Sequence, residues 1–288
     1  MRGPCAVEPP VTTQLLVSDL RELGVSEGQT LLVHASLKNI GWVDGGAAAV
    51  VAALRLAVGE TGNVVVPTGT EENSQTSRVH RERTKDMSED EIREYRRRMP
   101  AFDQDTTPGS AGAIAEELRT TCGAIRSAHP QSSFAAIGPK AEELMAGHSP
   151  ECHLGEYSPL AKIYELGAQA RVLLLGVGYR SCTAFHLAEY RYVDPPPRQF
   201  YCCVVMENGQ REWKEYEDVV LDDRDFEAIG DSLQDEFFVK KGYVGNAESC
   251  LLSMVESVDW AKGWMKKNRT LLCAPPGCEA SKNRSTRL

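Results

Sequence analysis

The sequence predicts an α/β fold in which helices flank a central, mixed and largely parallel sheet, with an antiparallel hairpin excursion. Three observations lead to this prediction. Residues 30–67 are typical of a strand, a helix and a second strand, a unit whose strands pair in parallel through a right-handed crossover. Residues 171–178 form an apolar, β-rich run typical of a fully buried central strand. Asn208-Gly209 lies between two strand-like runs and predicts a tight hairpin turn.

The first elements are predicted by local patterns. Leucines at helical spacing predict a helix over residues 14–24 that ends at Gly24. Within the strand–helix–strand unit, the apolar runs at 30–37 and 63–68 are the strands. Residues 45–59, rich in alanine, leucine and valine, form the predicted helix between them.

The rest of the chain adds helices and the hairpin. Ser88 and Glu91 have the spacing of a capping box, so a helix of alternating basic and acidic side chains begins there. Three more helices are predicted at residues 111–119, 158–167 and 183–191. The hairpin covers residues 200–218, and two final helices are predicted over about 225–239 and 246–267.

The domain organisation is predicted to be simple. Residues 1–11 are expected to be a flexible leader, and residues 271–288 a flexible polar tail. No internal repeat or low-complexity linker separates them. Residues 12–270 are therefore predicted to form a single domain, which is long enough to bury a sizeable core.

Charge and cysteine usage exclude several classes of protein. The net charge is −9, from 41 acidic and 32 basic side chains, whereas proteins that bind phosphate backbones concentrate positive charge. No apolar run approaches the length of about 20 residues that a membrane span needs, and the first residues lack the apolar segment of a secretory signal. The nine cysteines are scattered without a Cys-x-x-Cys pair, unlike a zinc ribbon or a disulfide scaffold. We expect a cytoplasmic protein with reduced thiols and no nucleic-acid or membrane partner.

His186 is the leading candidate for a catalytic residue. It lies in the first turn of the helix that follows the 171–178 strand, and open α/β sheets bind ligands at the carboxyl ends of their strands. A histidine base needs an acid to orient its second ring nitrogen. Strand alternation puts Glu215 and Glu217 on one face of the hairpin, which would return Glu217 to His186. A half-buried structural histidine and an exposed strand end are the alternatives.

Residues 212–236 hold eleven acidic and only two basic side chains. Such a run is commonly a solvated face. Beside a candidate base, clustered acids also suit a polycationic substrate, because the attraction of several charges raises affinity and association rate. Both interpretations stay open at this point.

Three segments are candidates for binding phosphate groups. They are His34, Ser36 and Leu37 at the end of the first strand, Ser110 and Gly112 at a helix start, and Arg126 with Ser127 in a loop. Free N–H groups at a helix start and a nearby arginine can hold phosphates. None is a Walker loop or a GxGxxG motif, so together they predict a phosphate-bearing cofactor outside the common Rossmann type.

Two other roles of His186 are compatible with the sequence, one beside a cysteine nucleophile and one as a metal ligand. Cys182 precedes it by four residues and suggests a Cys-His nucleophile, although cysteine is readily buried as a small apolar residue. His186 and Glu189 have the i,i+3 spacing of metal ligands, but no third ligand has convincing spacing. No metal is therefore predicted.

Five segments, in this order and spacing, resemble the aminoglycoside 3-N-acetyltransferase family. They are LLVHASLKNIGWVDGG, RSAHPQSSFAAIGPKAEEL, SPLAKIYELGAQARVLLLGVG, TAFHLAEYR and YVGNAE. The resemblance covers roughly residues 13–268, and five separated motifs in register are far more specific than any one of them. The family is unrelated in fold to the GNAT acetyltransferases.

The resemblance implies an enzyme that moves acetyl from acetyl-CoA to an amine. In family members this is the 3-amino group of a 2-deoxystreptamine aminoglycoside, which confers antibiotic resistance. It implies that His186 is the catalytic histidine, Glu217 its orienting carboxylate and Thr183 a hydroxyl beside the oxyanion. It places acetyl-CoA contacts at His34, Ser36, Leu37, Ser110, Gly112, Arg126 and Ser127. A monomer or homodimer that binds a polycationic amine is expected.

The chemistry of the residues fits these implied roles. An amine is mostly protonated at neutral pH and must lose a proton before it attacks a thioester. A histidine backed by a carboxylate can accept that proton, so direct transfer in a ternary complex is expected. Thr183 or nearby backbone N–H groups would stabilise the oxyanion.

Alternatives remain open beside direct transfer to an aminoglycoside. The loop after the second strand departs from the family's usual tryptophan-bearing version at Gly69 and Glu72, and Glu71 and Glu72 are acids that could meet amino groups. The acceptor is therefore an aminoglycoside or another small amine of a biosynthetic pathway. A thioester hydrolase that uses Cys182 with His186, and a non-catalytic CoA-binding relative, are the other classes.

Overall fold

A seven-stranded mixed sheet forms the centre of the structure, a computed structural model that describes residues 9–269. The predicted tail lies outside these residues, as does the predicted leader apart from residues 9–11. The strands are β1 (Thr30–Ala35), β2 (Asn63–Pro67), β3 (Ile125–Arg126), β4 (Phe134–Ile137), β5 (Ala170–Leu175), β6 (Arg198–Glu207), β7 (Gln210–Val219), β8 (Val239–Val244) and β9 (Ala247–Ser253).

Helices cover both faces of the sheet. They are α1 (Thr13–Leu23), α2 (Leu37–Ile40), α3 (Gly46–Val58), α4 (Arg78–Thr84), α5 (Glu89–Arg98), α6 (Ala113–Thr120), α7 (Ala141–Met145), α8 (Pro159–Glu165), α9 (Ala184–Glu189), α10 (Phe226–Leu233) and α11 (Met254–Asn268). Short 3₁₀ turns precede β5 and α9. Among residues 9–269, none of these helices has the length and apolar character of a membrane span.

The sheet has the strand order β3-β4-β2-β1-β5-β9-β8. Its central strands β2, β1 and β5 are parallel, and the strands outside them pair antiparallel. Strands β6 and β7 form a separate antiparallel hairpin. This confirms the predicted class, a mixed sheet with flanking helices and a hairpin excursion.

Alternating strand residues face two hydrophobic cores. Leu31 and Val33 of β1 pack with α1, α3 and α6 on one face, and Leu32 packs with α7 to α11 on the other. Because both faces are covered, the central strands carry apolar residues on both faces, as the 30–37 and 171–178 runs predicted.

Local signals fix several predicted helix ends. Thr12 caps α1 by accepting a hydrogen bond from the Leu15 N–H at 3.2 Å, and Gly24 ends the helix with φ 112°. The capping box of Ser88 and Glu91 begins α5 as predicted. In the β6–β7 turn, Asn208 and Gly209 have φ values of 50° and 75°, the left-handed pair that a two-residue hairpin loop requires.

The secondary structure after the β6–β7 hairpin differs from the one that the sequence predicts. The helices expected over 225–239 and 246–267 are shorter, and β8 and β9 form a second hairpin between them. The predicted helical pattern there is wrong because Gly245-Asn246 forms a two-residue turn, with Gly245 at φ 58°. Strands β3 and β4 were also not predicted, since each is short and the pairing of β4 with β2 is non-local.

Candidate active site

A cleft of about 330 Å³ lies at the carboxyl ends of the three parallel strands. It is lined by Val33, His34 and Ala35 of β1, Val66 and Pro67 of β2, Gly69, Ser110, Ala111, Ile114 and Ala115 near the start of α6, and Val177, Ser181 and Thr183 after β5. This is the edge at which open α/β sheets bind ligands. A larger depression of about 440 Å³ lies on another surface, around Leu56, Gly59 and Gly138, and its ionisable lining is Arg55 and Glu60.

His186 is held by an acid from its own helix. Its Nδ1 lies 2.6 Å from Oε2 of Glu189, one helical turn further along α9. Glu189 is fully buried. Its other oxygen, Oε1, accepts hydrogen bonds from the Arg269 guanidinium at 2.7 Å and from the Asp222 N–H at 2.9 Å. The carboxylate is therefore fixed from three sides, and it fixes one ring nitrogen of His186.

The ring of His186 remains accessible at its other nitrogen. The side chain is 14% exposed, and one face of the ring packs against Phe226 with the centroids 4.6 Å apart. The His186 N–H is bonded to the Thr183 carbonyl, which places the histidine one turn from a residue that lines the cleft. With Nδ1 directed to Glu189, Nε2 is the nitrogen that can meet a substrate proton.

Glu217 does not fill its expected role, because its side chain points away from His186. It pairs with Phe200 on the outward face of the hairpin, is 52% exposed, and lies 3.8 Å from Arg198. The neighbouring Asp218 faces inwards, as strand alternation requires. Asp218 accepts hydrogen bonds from the His153 ring at 2.8 Å and from the Tyr190 hydroxyl at 2.6 Å. The orienting carboxylate of His186 is Glu189, whose i,i+3 spacing was visible in the sequence but suggested a metal pair.

Thr183 lines the cleft. Its hydroxyl is 3.2 Å from Nε2 of His34, at the end of β1. Burial, with a smaller effect from the charge of His186, lowers the pKa of His34 to about 3. His34 is therefore neutral at physiological pH, with one protonated ring nitrogen and one that accepts.

The predicted cofactor residues divide into two groups, and two members of the first group line the cleft. His34 and Ser110 line it, and Gly112 is the N-cap of α6, with φ 96°. Gly112 has no side chain with which to cap the helix, so the first N–H groups of α6 are left to a ligand. Ser36 and Leu37 lie just beyond β1, where Ser36 precedes α2 and Leu37 packs against the core under α1 and α3.

Arg126 and Ser127 form the second group, and both are buried within the protein. The guanidinium of Arg126 donates to the carbonyl of Thr68 at 2.8 Å and to that of Thr107 at 2.5 Å, and burial lowers its pKa to about 10. The Ser127 hydroxyl lies 2.9 Å from Nδ1 of His148. The polar atoms of both side chains bond to other residues of the chain, and their expected phosphate contacts stay a prediction.

Three buried histidines pack in that same region. The ring of His129 lies 4.7 Å from the ring of His148 and 4.6 Å from that of His153, between centroids. Burial lowers the pKa of His129 well below its usual value and the pKa of His148 to about 4. Nδ1 of His129 accepts from the N–H groups of Gln131 and Ser132. These neutral rings order the loop that precedes β4.

Six of the eleven acids in the run 212–236 have a basic ion-pair partner. These pairs join Glu212 to Lys214, Glu217 to Arg198, Asp222 to Arg224, Asp223 to Arg180, Asp225 to Arg269 and Asp235 to Lys241. Of the two loop acids considered for amine binding, Glu72 is engaged by Arg83 in two contacts of 2.5 and 2.7 Å. Glu71 is half-buried and has no ion-pair partner among residues 9–269. The run is not a uniform anionic surface.

Cys182 is unsuited to nucleophilic chemistry. It is fully buried, and burial raises the pKa of its thiol to about 12. The thiolate is the nucleophilic form of cysteine, so this environment suppresses reactivity. Within the described part of the chain, no three His, Cys, Asp or Glu side chains cluster as metal ligands would.

The chain is similar to proteins of one family. Residues 32–266 match the family described as aminoglycoside 3-N-acetyltransferase. The prophage-derived aminoglycoside N(3')-acetyltransferase-like protein YokD of Bacillus subtilis is 38% identical over 90% of this chain and 94% of its own. Aminoglycoside N(3)-acetyltransferase VII of Streptomyces paromomycinus is 32% identical over 90% of this chain and 92% of its own.

Solved structures show the same similarity in three dimensions. The crystal structure of YokD has a TM-score of 0.83 at 36% identity and covers 93% of this chain and 98% of its own. AAC-IIIb in its binary complex with CoASH has a TM-score of 0.78 at 28% identity, over 90% of this chain and 97% of its own. AAC-VIa bound to sisomicin has a TM-score of 0.75 at 30% identity, over 90% of this chain and 98% of its own.

The buried histidines predict a stability that falls with acid. The folded-state pKa values of His34, His129 and His148 lie below the ordinary value of 6.5, so the unfolded chain binds more protons than the folded one below that pH. Their contribution is complete above pH 6.5 and is lost as the pH falls. At about 1.4 kcal/mol per pH unit for each group, the free energy of unfolding should drop by about 4 kcal/mol between pH 7 and 5.5.

Urea unfolding at a series of pH values measures this loss. The variant His148→Gln is the internal control, because its stability should fall less steeply as the pH is lowered than that of the wild type. A free energy of unfolding that stays constant or rises between pH 7 and 5.5 would contradict the prediction.

Proposed function

The chain belongs to the aminoglycoside 3-N-acetyltransferase family, and from that premise we propose that it transfers acetyl from acetyl-CoA to the 3-amino group of a 2-deoxystreptamine aminoglycoside. One observation carries the proposal. His186 and the buried Glu189 form a 2.6 Å pair one turn from Thr183, beside the cleft at the carboxyl ends of the parallel strands. Acetylation of this kind would confer resistance to the antibiotic.

The relatives support the two proposed substrates. Those of the matched family are named aminoglycoside N(3)-acetyltransferases, an acyltransferase activity. One similar structure is a complex with CoASH, and another is a complex with sisomicin. We propose that this chain binds the same two classes of molecule, with acetyl-CoA as co-substrate and without a metal.

The cleft is suited to the pantetheine arm of acetyl-CoA. Its walls are mainly apolar, from side chains such as Val66 and Ile114, with hydroxyls at Ser110, Ser181 and Thr183. A narrow chain with two amide groups suits this mixture, because apolar segments are buried while the amides find hydroxyl and backbone partners. The free N–H groups at the start of α6, behind Gly112, would receive a phosphate.

The proposed reaction is a direct transfer. The acceptor reacts as the free amine, after its ammonium form has lost one proton to solvent. As the amine nitrogen bonds to the acetyl carbonyl carbon, Nε2 of His186 takes a second proton from that nitrogen. The tetrahedral intermediate then collapses, the carbon–sulfur bond breaks, and the imidazolium returns its proton to the leaving thiolate. Glu189 accepts the Nδ1–H throughout, which fixes the tautomer and stabilises the positive ring.

Thr183 and His34 are proposed to serve the oxyanion. The Thr183 hydroxyl can donate to the developing negative oxygen while its own oxygen accepts from Nε2–H of His34. This requires the neutral His34 that its burial produces. His186 is thus proposed as the general base, and His34 as the hydrogen-bond donor that orients the Thr183 hydroxyl.

The wider setting is proposed from the sequence. The scattered cysteines support a cytoplasmic enzyme, and residues 12–270 are proposed to act as one catalytic domain, as a monomer or homodimer. No role with nucleic acid or membranes is proposed, given the net charge of −9.

Another small amine is a second candidate acceptor, favoured by one observation. Glu72, an acid considered for binding amino groups, is held by Arg83, and much of the 212–236 run is also paired. An acceptor with fewer positive charges than an aminoglycoside would need fewer free acids.

An acceptor panel tests the reaction itself. Purified protein with acetyl-CoA should release thiol in the presence of gentamicin-, kanamycin-, neomycin- or apramycin-type acceptors, and not in a blank without acceptor, because transfer needs an amine. Product analysis should place the acetyl group on the 3-amino nitrogen. Blank-level release with every aminoglycoside would reject the proposed acceptor class. Equal release without any acceptor would favour a hydrolase.

Paired carboxylate variants test the roles at His186. His186→Gln should lower kcat by about 10²- to 10⁴-fold because the general base is removed. Glu189→Gln should lower kcat by at least about tenfold, since the amide cannot stabilise the imidazolium. Glu217→Gln is the matched control and should stay within about twofold of the wild type, because the side chain faces solvent. Circular dichroism confirms that each variant is folded.

The opposite ranking would overturn this assignment. Near-normal turnover of folded Glu189→Gln, together with a large loss in Glu217→Gln, would return the orienting role to Glu217. Near-normal turnover of His186→Gln would remove His186 as the base.

A further inference from the structure

Arg269, just after α11, is almost wholly engaged by the active-site region. Its side chain is 14% exposed. Nη1 donates to Oε1 of Glu189 at 2.7 Å, and Nε and Nη2 donate to the two oxygens of Asp225 at 2.6 Å each. Nη2 also donates to the Asp222 carbonyl at 2.7 Å. All three nitrogens of the guanidinium thus meet groups that surround the His186–Glu189 pair.

The contact matters because Glu189 is completely buried. A buried carboxylate is costly unless its charge is matched and its oxygens are hydrogen-bonded. Burial opposes the charge of Arg269, but hydrogen bonds to Asp225 and the charge of Glu189 outweigh it and raise the pKa of Arg269 above its usual value. Arg269 is therefore positively charged, and the contact with Glu189 is a charge-assisted one.

We propose that Arg269 is a positioning residue for catalysis, whose buried guanidinium pairs with the Glu189 carboxylate and turns it so that Oε2 receives the Nδ1–H of His186. This inference rests on the proposed function of that pair. It assigns a catalytic purpose to a residue 80 positions away in the chain, and it goes beyond the pair itself.

Two geometric facts separate this role from simple anchoring. Arg269 contacts the Glu189 oxygen that does not face His186, so it leaves Oε2 free for the ring. The Asp222 N–H donates to the same Oε1, which fixes the plane of the carboxylate. If Arg269 only anchored the end of α11, its ion pair with Asp225 would suffice, and a contact with Glu189 would not be required.

The positive charge also controls when the pair takes up a proton. The charged and titratable groups around it are His34 from β1, His153 from the loop before α8, Tyr192 after α9, Tyr201 from β6, Asp222 and Asp225 before α10, and Arg269. Among these, Arg269 is the permanent cation in contact with Glu189. A cation beside a titrating pair disfavours proton uptake, so its removal should make the pair bind a proton at higher pH. A pair that already carries the proton cannot accept one from the amine.

Arg269→Gln is the decisive variant, measured across pH 5.5–9.5 with a saturating acceptor. We expect the acid limb of kcat to move upward by about one pH unit or more. Turnover should be several-fold lower than that of the wild type at pH 7 and should return to within about twofold at pH 9. KM for acetyl-CoA should change little. Titration of the acceptor amine is common to all variants and cancels in the comparison.

Two variants control for charge and for position. Arg269→Lys keeps the cation and should restore the acid limb to within about 0.3 pH unit of the wild type. Arg224→Gln removes the same charge from a nearby arginine that is 74% exposed and paired with Asp222. Its acid limb should not move, because solvent screens an exposed charge.

Asp225→Asn distinguishes the anchoring of Arg269 from the effect of its positive charge on the His186–Glu189 pair. It breaks the contact that fixes the far side of Arg269 but leaves the cation beside Glu189. Removing a negative charge cannot raise the acid limb, so we expect it to stay or to move to lower pH. Equal loss of turnover at all pH values in Arg269→Gln and Asp225→Asn would overturn the proposal and leave Arg269 as an anchor. An unmoved acid limb in folded Arg269→Gln would also overturn it.

A measurement without turnover keeps this test independent of the acceptor. The chain has six histidines, so the ring of His186 can be assigned by NMR through comparison with His186→Gln. The His186 ring signal should titrate at higher pH in Arg269→Gln than in the wild type, while Arg224→Gln leaves it unchanged. If the wild type showed no acceptor-dependent transfer, the proposed function would fail, yet this titration would still decide the role of Arg269.

Discussion

A buried carboxylate is the constraint on which the site depends. Glu189 is fully enclosed, so its charge must be met by groups that reach it through the protein. Three separate parts of the chain do this: the ring of His186 from α9, the N–H of Asp222 from the loop after β7, and Arg269 from beyond α11. The same loop leads into α10, whose Phe226 packs on the His186 ring. Neutralising the charge of Glu189 therefore fixes the ring of His186 and the residue after the last described helix together.

The central strands determine where this pair acts. Because β2, β1 and β5 are parallel, their carboxyl ends meet at one edge, and the residues that follow them share the cleft. In this way His34, at the end of β1, reaches Thr183, which lies 149 positions later in the chain. The cleft offers apolar walls and hydroxyls, and the pair at its side offers a base. That combination suits acyl transfer from a thioester with a long, narrow arm to an amine.

The sequence was most informative where one local pattern decides the outcome. The central strands, α9 with His186 and Thr183, and the β6–β7 turn follow from apolar runs and from a single dipeptide. It was least informative where a long-range contact decides. Glu217 was expected at His186, but a one-residue alternation turns Asp218 inwards instead, and Arg126 is used by backbone carbonyls that no sequence pattern reveals. The β8–β9 hairpin had a local signal, Gly245-Asn246, which the helical spacing of its neighbours obscured.

A crystal structure of the protein with CoA and an aminoglycoside would show whether His186 meets the acceptor amine. We expect the thiol of CoA in the cleft near Thr183, and the 3-amino nitrogen within about 3.2 Å of Nε2 of His186. We also expect Oε2 of Glu189 to stay bonded to Nδ1 in this proposed arrangement. An acceptor amine bound beside the His153–Asp218 pair, or CoA bound in the depression around Gly59 and Gly138, would contradict it.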